Sequence, residues 1–191
     1  MDKQRSLEEL AVEIESESLL SELKESATQM VKGAGSFDAD IVFIGEAPGK
    51  NEDVKGIPFV GASGRILNDG LLSVGINRDE IYITNIVKFR PPGNRDPSTG
   101  EKEASLPYLM REINIIKPKI IAPLGRHSLS TILPEAKIGQ DHGKSFTVQI
   151  EQGKYTVIPL YHPAATIYNR AIRADFVNDL HSLKDALELI D

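Results

Sequence analysis

Four short polar segments carry the residues able to do chemistry. GEAPGKNED (45–53) sets Glu46 directly after an apolar run. A carboxylate there can hold a water or face a cation at a crevice edge, and it equally suits a turn-capping carboxylate. The Gly-Pro-Gly type of turn lets backbone approach a ligand closely. It is not a phosphate loop, because the glycine-to-lysine spacing is one residue short and Asn51 stands where Ser or Thr would bind magnesium. Asn85 follows the apolar run IYIT, where its amide offers a donor and an acceptor side by side, suited to the edge of a base. Asn is also a common strand-ending residue. His162 lies in Tyr-His-Pro, and Phe59 in GIPFVG. An aromatic in that loop either stacks on a planar ligand or plugs the core. His127, His142 and His181 have no metal-ligand spacing with carboxylates, so no metal site is expected. Ser128 and Ser130 lack a nucleophile-elbow setting.

These segments need elements to position them. Residues 6–26 read as an acidic helix with Leu7, Leu10, Ile14, Leu20 and Leu23 near one face. Short β-branched runs read as strands at 38–45, 81–84, 119–125, 145–150 and 154–160, the last two joined by QGK. Helices are expected at 63–74 (closed by Gly75), 101–117 (strained or offset at Pro107), 126–133 and 170–189, with loops at 46–61, 85–100 and 161–169. The alternation implies an α/β fold: a three-layer α/β/α sandwich around a mainly parallel, four-stranded sheet. Ligands bind such sheets beyond the carboxyl ends of the strands, where all four polar segments fall. No repeat or linker divides the 191 residues, so one domain is expected, with the acidic segment 1–30 packed on it.

With no cysteine the chain has no disulfide, thiolate nucleophile or thiolate-held metal. The first segment is no secretory signal and no run of 18 apolar residues spans a membrane, which fits a cytoplasmic protein. The net charge of −6 argues mildly against nucleic acid, but it is uneven. Residues 1–30 hold three basic and eight acidic residues, whereas 86–127 hold eight basic and four acidic. A basic middle is compatible with an anionic ligand, and also with a solvated surface.

GEAPGKNEDVKGIPFVGASGRIL (45–67), YITNIVKFRPPGNRDP (82–97), PLGRHSL (123–129) and YHPAA (161–165) together resemble the uracil-DNA glycosylase superfamily, and within it the family 4 enzymes of bacteria and archaea. The resemblance covers nearly the whole chain. It implies a monofunctional glycosylase that frees uracil from DNA and leaves an abasic site. It implies Glu46 as the water-activating, cation-stabilising acid and His162 as the partner of uracil O2. It implies Asn85 as reader of the N3–H and O4 edge and Phe59 as the stacking ring. Glu52 would crowd C5 against thymine, and Ala47 and Gly49 would line the first turn. Pro163 and Ala164 would press on the duplex. Lys88, Arg90 and Arg95 are candidate phosphate contacts. The partner is uracil-containing DNA, with the protein expected to be a monomer.

One departure stands out. Family 4 enzymes carry four cysteines that hold a [4Fe–4S] cluster. Here Ser18, Ser21, Phe89 and Ser105 occupy those positions, so no cluster and no other cofactor is expected, and Phe89 with apolar neighbours is expected to fill the volume. A related branch links covalently to DNA through a histidine in a basic insertion. The region 88–105 has neither, so turnover is expected. Two other readings stay open: a non-catalytic module that binds uracil or damaged DNA, and a glycosylase for another deaminated base.

Overall fold

The computed structural model describes residues 2–151 and 153–190. The chain opens with α1 (Lys3–Ser16), a 3-10 turn at Ser18–Leu20 and α2 (Ser21–Ser26), where the sequence suggests one helix over 6–26. Glu17 makes the break. Its backbone is extended (φ −65°, ψ 116°), and its carboxylate accepts the Leu19 N–H at 3.0 Å, capping the next turn. The apolar stripe survives the break, since Leu10, Ile14, Leu20 and Leu23 are all buried in one core.

Strands β1 (Ala34–Gly35) and β2 (Ile41–Gly45) follow, then α3 (Lys50–Lys55), which lies inside the segment expected to be loop. Glu52 and Asp53 in its first turn and left-handed Gly56 (φ 69°) at its end stabilise this short helix, which has too few turns to show periodicity. Next come α4 (Ala62–Ser73), β3 (Tyr82–Asn85) and α5 (Thr99–Ile116). Exposed Pro107 removes one backbone donor from α5 without ending it. The chain closes with β4 (Ile120–Pro123), α6 (Gly125–Ile132), α7 (Ile138–Asp141), β5 (Phe146–Ile150), β6 (Gly153–Val157) and α8 (Arg170–Ile190). Gln152, in the expected QGK turn, lies outside the described residues.

The described residues form one six-stranded sheet in the order β1-β3-β2-β4-β6-β5, which corrects the expected four strands. The four central strands are mutually parallel. The outer two are antiparallel edges: β5, the strand read at 145–150, folds back on β6, and the unexpected two-residue β1 pairs Ala34 with Ile83. Alternation along β2 divides the core. Val42 and Ile44 pack with Leu10, Leu23, Leu109 and Ile113 from α1, α2 and α5. Ile41 and Phe43 pack with Leu67, Leu71, Phe176 and Leu180 from α4 and α8. Two cores on opposite faces of one sheet make the three-layer sandwich.

Candidate active site

The four polar segments emerge at one edge of the sheet because its strands are parallel. Glu46 follows β2 directly and Asn85 ends β3, with Ile86 N–H donating to Gly45 O at 3.0 Å and Val87 N–H to Glu46 O at 3.1 Å. Beyond β4 and β6 the pairing continues through Leu124 and Leu160, which brings Gly125 N–H onto Leu160 O at 2.8 Å. This fixes His162 opposite the start of α6. Gly125 is left-handed (φ 84°), and a methyl group there would lie 2.9 Å from His162 Cβ. A cleft of about 530 Å³ opens between these loops, lined by Glu46, Ala47, Gly49, Arg95, Asp96, His127, Tyr161 and His162.

Asn85 is only 2% exposed, yet among the described residues its side-chain amide has no hydrogen-bond partner. Buried amides are normally paired, so this one is available to a ligand. Phe59 sits beside it: a methyl group on Gly45 would collide with both Asn85 Oδ1 and the Phe59 ring edge. The Phe59 backbone is left-handed (φ 53°), a strained state for an aromatic residue. Arg78 holds it by donating to Pro58 O at 3.0 Å and Phe59 O at 3.3 Å. The ring lies 5.9 Å from the His162 ring.

Burial lowers the His162 pKa from the usual 6.5 to about 4, so the imidazole is neutral at neutral pH. Ala164 N–H donates to its Nδ1 at 3.2 Å. A neutral ring that accepts at Nδ1 carries its hydrogen on Nε2, so His162 presents a donor. Glu46 Oε1 is wholly buried and receives no hydrogen bond among the described residues, although two nitrogens approach it: Lys102 Nζ at 3.1 Å and His127 Nδ1 at 3.4 Å. Oε1 is closed to solvent, so the carboxylate's other oxygen, Oε2, is the one left to hold a water from the cleft.

Other residues have local duties. Glu52 Oε1 accepts Val60 N–H at 3.1 Å and Gly61 N–H at 2.9 Å, closing the loop that carries Phe59. Pro163 and Ala164 open a 3-10 turn (Pro163–Ile167) after His162, ending at Tyr168, which is 93% exposed. Lys88 is a correction. It is 4% exposed, and its ammonium donates to Glu112 Oε2 at 2.6 Å, to Asn85 O at 2.7 Å and to Thr84 Oγ1, so it cannot reach a phosphate. Arg90 donates to Asn94 Oδ1 at 2.7 Å, and Arg95 grips Glu101 through two bonds of 2.7 and 2.8 Å while keeping 42% side-chain exposure.

The cluster positions do not fit a metal cluster. Ser18 and Ser21 are exposed, and Ser105 Oγ donates to Glu101 O at 2.8 Å. Phe89 is buried in the same apolar core as Leu20, Leu23 and Leu109. A phenyl ring and three hydroxyls supply no thiolate.

Three polar groups near Glu46 were given no role there by the sequence, although Asp96 and His127 lie in the segments 82–97 and 123–129. Asp96, Lys102 and His127 come from three separate segments and meet only in the fold. Ligand atoms of Glu46, Asp96 and His127 lie within 4.8 Å of one another, a spacing able to hold a metal ion. The Lys102 ammonium at Glu46 Oε1 already brings positive charge to that spot and would oppose a cation there.

Comparison with known proteins agrees with this layout. A family model described as "Uracil DNA glycosylase superfamily" matches residues 32–184. A type-4 uracil-DNA glycosylase of Saccharolobus solfataricus is 46% identical over 163 residues, covering 82% of this chain and 76% of that protein. One from Sulfurisphaera tokodaii is 44% identical over 166 residues, covering 83% and 74%. One from Archaeoglobus fulgidus is 41% identical over 167 residues, covering 85% and 84%. With that extent of match over the sheet and all four loops, the chain belongs to the uracil-DNA glycosylase superfamily.

Proposed function

We propose that this protein is a monofunctional uracil-DNA glycosylase. It hydrolyses the N-glycosidic bond of deoxyuridine in DNA, releases uracil and leaves an abasic site for base-excision repair. The observation that carries the reading is the buried, unpartnered Asn85 amide beside the Phe59 ring. A uracil edge, with N3–H to give and O4 to accept, would satisfy it.

A base inside a duplex is out of reach, so the nucleotide must be flipped into the pocket. Stacking on Phe59 offsets part of the lost stacking, at roughly 1–3 kcal/mol per base–aromatic pair. As the C1′–N1 bond breaks, its electron pair leaves with the uracil, and the sugar becomes an oxocarbenium ion. His162, neutral with its hydrogen on Nε2, donates to the charge growing on O2 and keeps its proton. Glu46 faces the cationic sugar and orients the water that adds to C1′. That water's proton balances the uracil anion. Neither metal nor redox cofactor takes part in this scheme.

Arg90 and Arg95, with the turn at Pro163 and Ala164, form the DNA-facing side in this reading. The whole chain serves as one glycosylase unit, a cytoplasmic monomer. Among the described residues, no helix is long and apolar enough to cross a membrane.

The test uses a 5′-labelled oligonucleotide with one deoxyuridine, protein below substrate concentration, chelator present, then hot alkali. Alkali-dependent cleavage at the uracil over several turnovers is the expected result. Stable binding without cleavage would make this a binding module. Cleavage only at hypoxanthine or xanthine in a parallel panel would reassign the base.

A further inference from the structure

We propose that Lys102 and His127 are positioning residues for Glu46. They hold its carboxylate by charge and dipole while leaving its hydrogen-bonding capacity for the attacking water. The inference rests on the glycosylase reading above.

The geometry is convergent. Lys102 Nζ lies 3.1 Å and His127 Nδ1 3.4 Å from the same oxygen, Glu46 Oε1. The Lys102 and Glu46 side chains are 22% and 18% exposed, so the attraction acts with part of the solvent removed. Neither nitrogen is aligned as a hydrogen bond and Oε1 is closed to solvent, so the pull on Oε1 leaves Oε2 for the water. The His127 tautomer is set from outside. Arg126 Nε donates to His127 Nε2 at 3.1 Å, so the neutral ring carries its hydrogen on Nδ1, the nitrogen facing Glu46. Asp96 Oδ2 also lies 3.4 Å from Nε2, so carboxylates flank the ring on both sides.

Lys102 is itself held in place. It follows Glu101, whose carboxylate accepts Ser98 N–H at 2.6 Å in a capping box and both arms of Arg95. The first turns of α5 and α6 thus meet at one oxygen, with the Pro-rich loop bracing both through Arg95 and Asp96. A carboxylate on a loop after a strand has several rotamers, and only one faces the reacting carbon. Restricting it matters, because a 1 Å misplacement can cost about 100-fold in rate.

The experiment is a double-mutant cycle in the full chain, read as single-turnover excision of uracil with enzyme in excess. Affinity for the same DNA carrying a non-hydrolysable deoxyuridine analogue is measured alongside. Lys102→Met should slow excision by about 10- to 100-fold with affinity unchanged, and His127→Gln should act in the same direction. Lys102→Arg should restore most of the rate, since it keeps the charge. In a Glu46→Gln background, followed over hours, Lys102→Met should change the residual rate by less than about twofold, because the two residues act as a unit. Circular dichroism verifies folding of each variant.

A loss of affinity with an unchanged rate would make Lys102 a phosphate contact and overturn the proposal. Additive losses in the cycle would overturn it equally. A wild-type protein that releases no uracil would instead refute the glycosylase reading.

Discussion

Asn85 is buried, yet its side-chain amide makes no hydrogen bond among the described residues, so it contributes no polar contact to the fold. That separates reader from scaffold. Asn85→Ala should slow uracil excision by at least about 100-fold, as sites built around a hydrogen bond do when it is lost, and should leave the melting temperature level or higher. A melting temperature that fell together with the rate would make Asn85 a structural residue. His162 makes a second test. Its pKa of about 4 lies below the unfolded value near 6.5, so between those pH values the unfolded chain binds the extra proton and stability falls as pH falls. Urea midpoints of wild type should drop from pH 6.5 towards 4 more steeply than those of His162→Gln. The excision rate should show no loss from His162 protonation down to about pH 5. Glu46, Asn85 and His162 sit in polar segments after strands, a position readable from one dimension, whereas the role of each, and of Phe59, is what the family resemblance implies. The meeting of Asp96, Lys102 and His127 was not legible, because it depends on three loops folding towards each other. Lys88 was misread for the opposite reason: a lysine in a basic loop looks solvated, and only the fold reveals Glu112 beneath it.

Between β3 and α5 lies a buried ion pair, Lys88 with Glu112, at 4% and 5% side-chain exposure. Tyr82 OH donates to Glu112 Oε1 at 2.8 Å, and Thr84 Oγ1 donates to the same carboxylate. Burial, and then the Glu112 charge, push the Tyr82 pKa well up, keeping its proton in place as a donor. Such a pair contributes little net stability but is costly to halve. Lys88→Met should destabilise the fold by about 3–5 kcal/mol, because it leaves a buried carboxylate uncompensated. Adding Glu112→Leu should recover much of the loss, as apolar replacement of both partners is often neutral. Urea unfolding of the single and double variants checks this, and equal loss in both would show that the pair itself supplies stability. The element order was legible wherever apolar runs were continuous, as in IVFIG, YIT and IIAP. The first sheet edge was not, because a two-residue strand such as β1 has no pattern to read, whereas the run at 145–150 reads as the strand β5. The break at Glu17 depends on a side-chain cap that hydrophobic spacing does not encode.

The net charge of −6 describes the whole molecule and hides how its basic residues are distributed. Of the eight basic residues in 86–127, Lys88 is buried and Arg111 pairs with Glu13 of α1. Lys119 pairs with Asp40 at the amino end of the sheet, and Lys117 ends α5 nearby, away from the cleft. Arg90, Arg95, Lys102 and Arg126 remain on the loops and helix starts at the carboxyl edge. The acidic α1 and α2 pack on α5, so negative charge is concentrated on one flank and the positive groups on the sheet edge that holds the pocket. Such a layout would orient an approaching duplex even though the molecule as a whole repels it. Each phosphate contact releases condensed counterions and contributes about 0.9 to the slope of log affinity against log salt. Arg90→Ala should therefore lower that slope by about one while weakening binding evenly across sequences. Arg95→Ala should lower the slope and also the melting temperature, because Glu101 loses the two bonds that brace the capped start of α5. A salt titration of DNA binding across the two variants and wild type reads all of this, with Lys88→Met as the internal comparison. Its folded fraction should bind with the wild-type slope. An unchanged slope for Arg90→Ala and Arg95→Ala would move the DNA path off the Pro-rich loop, and a lowered slope for Lys88→Met would mean that the buried pair opens when DNA binds.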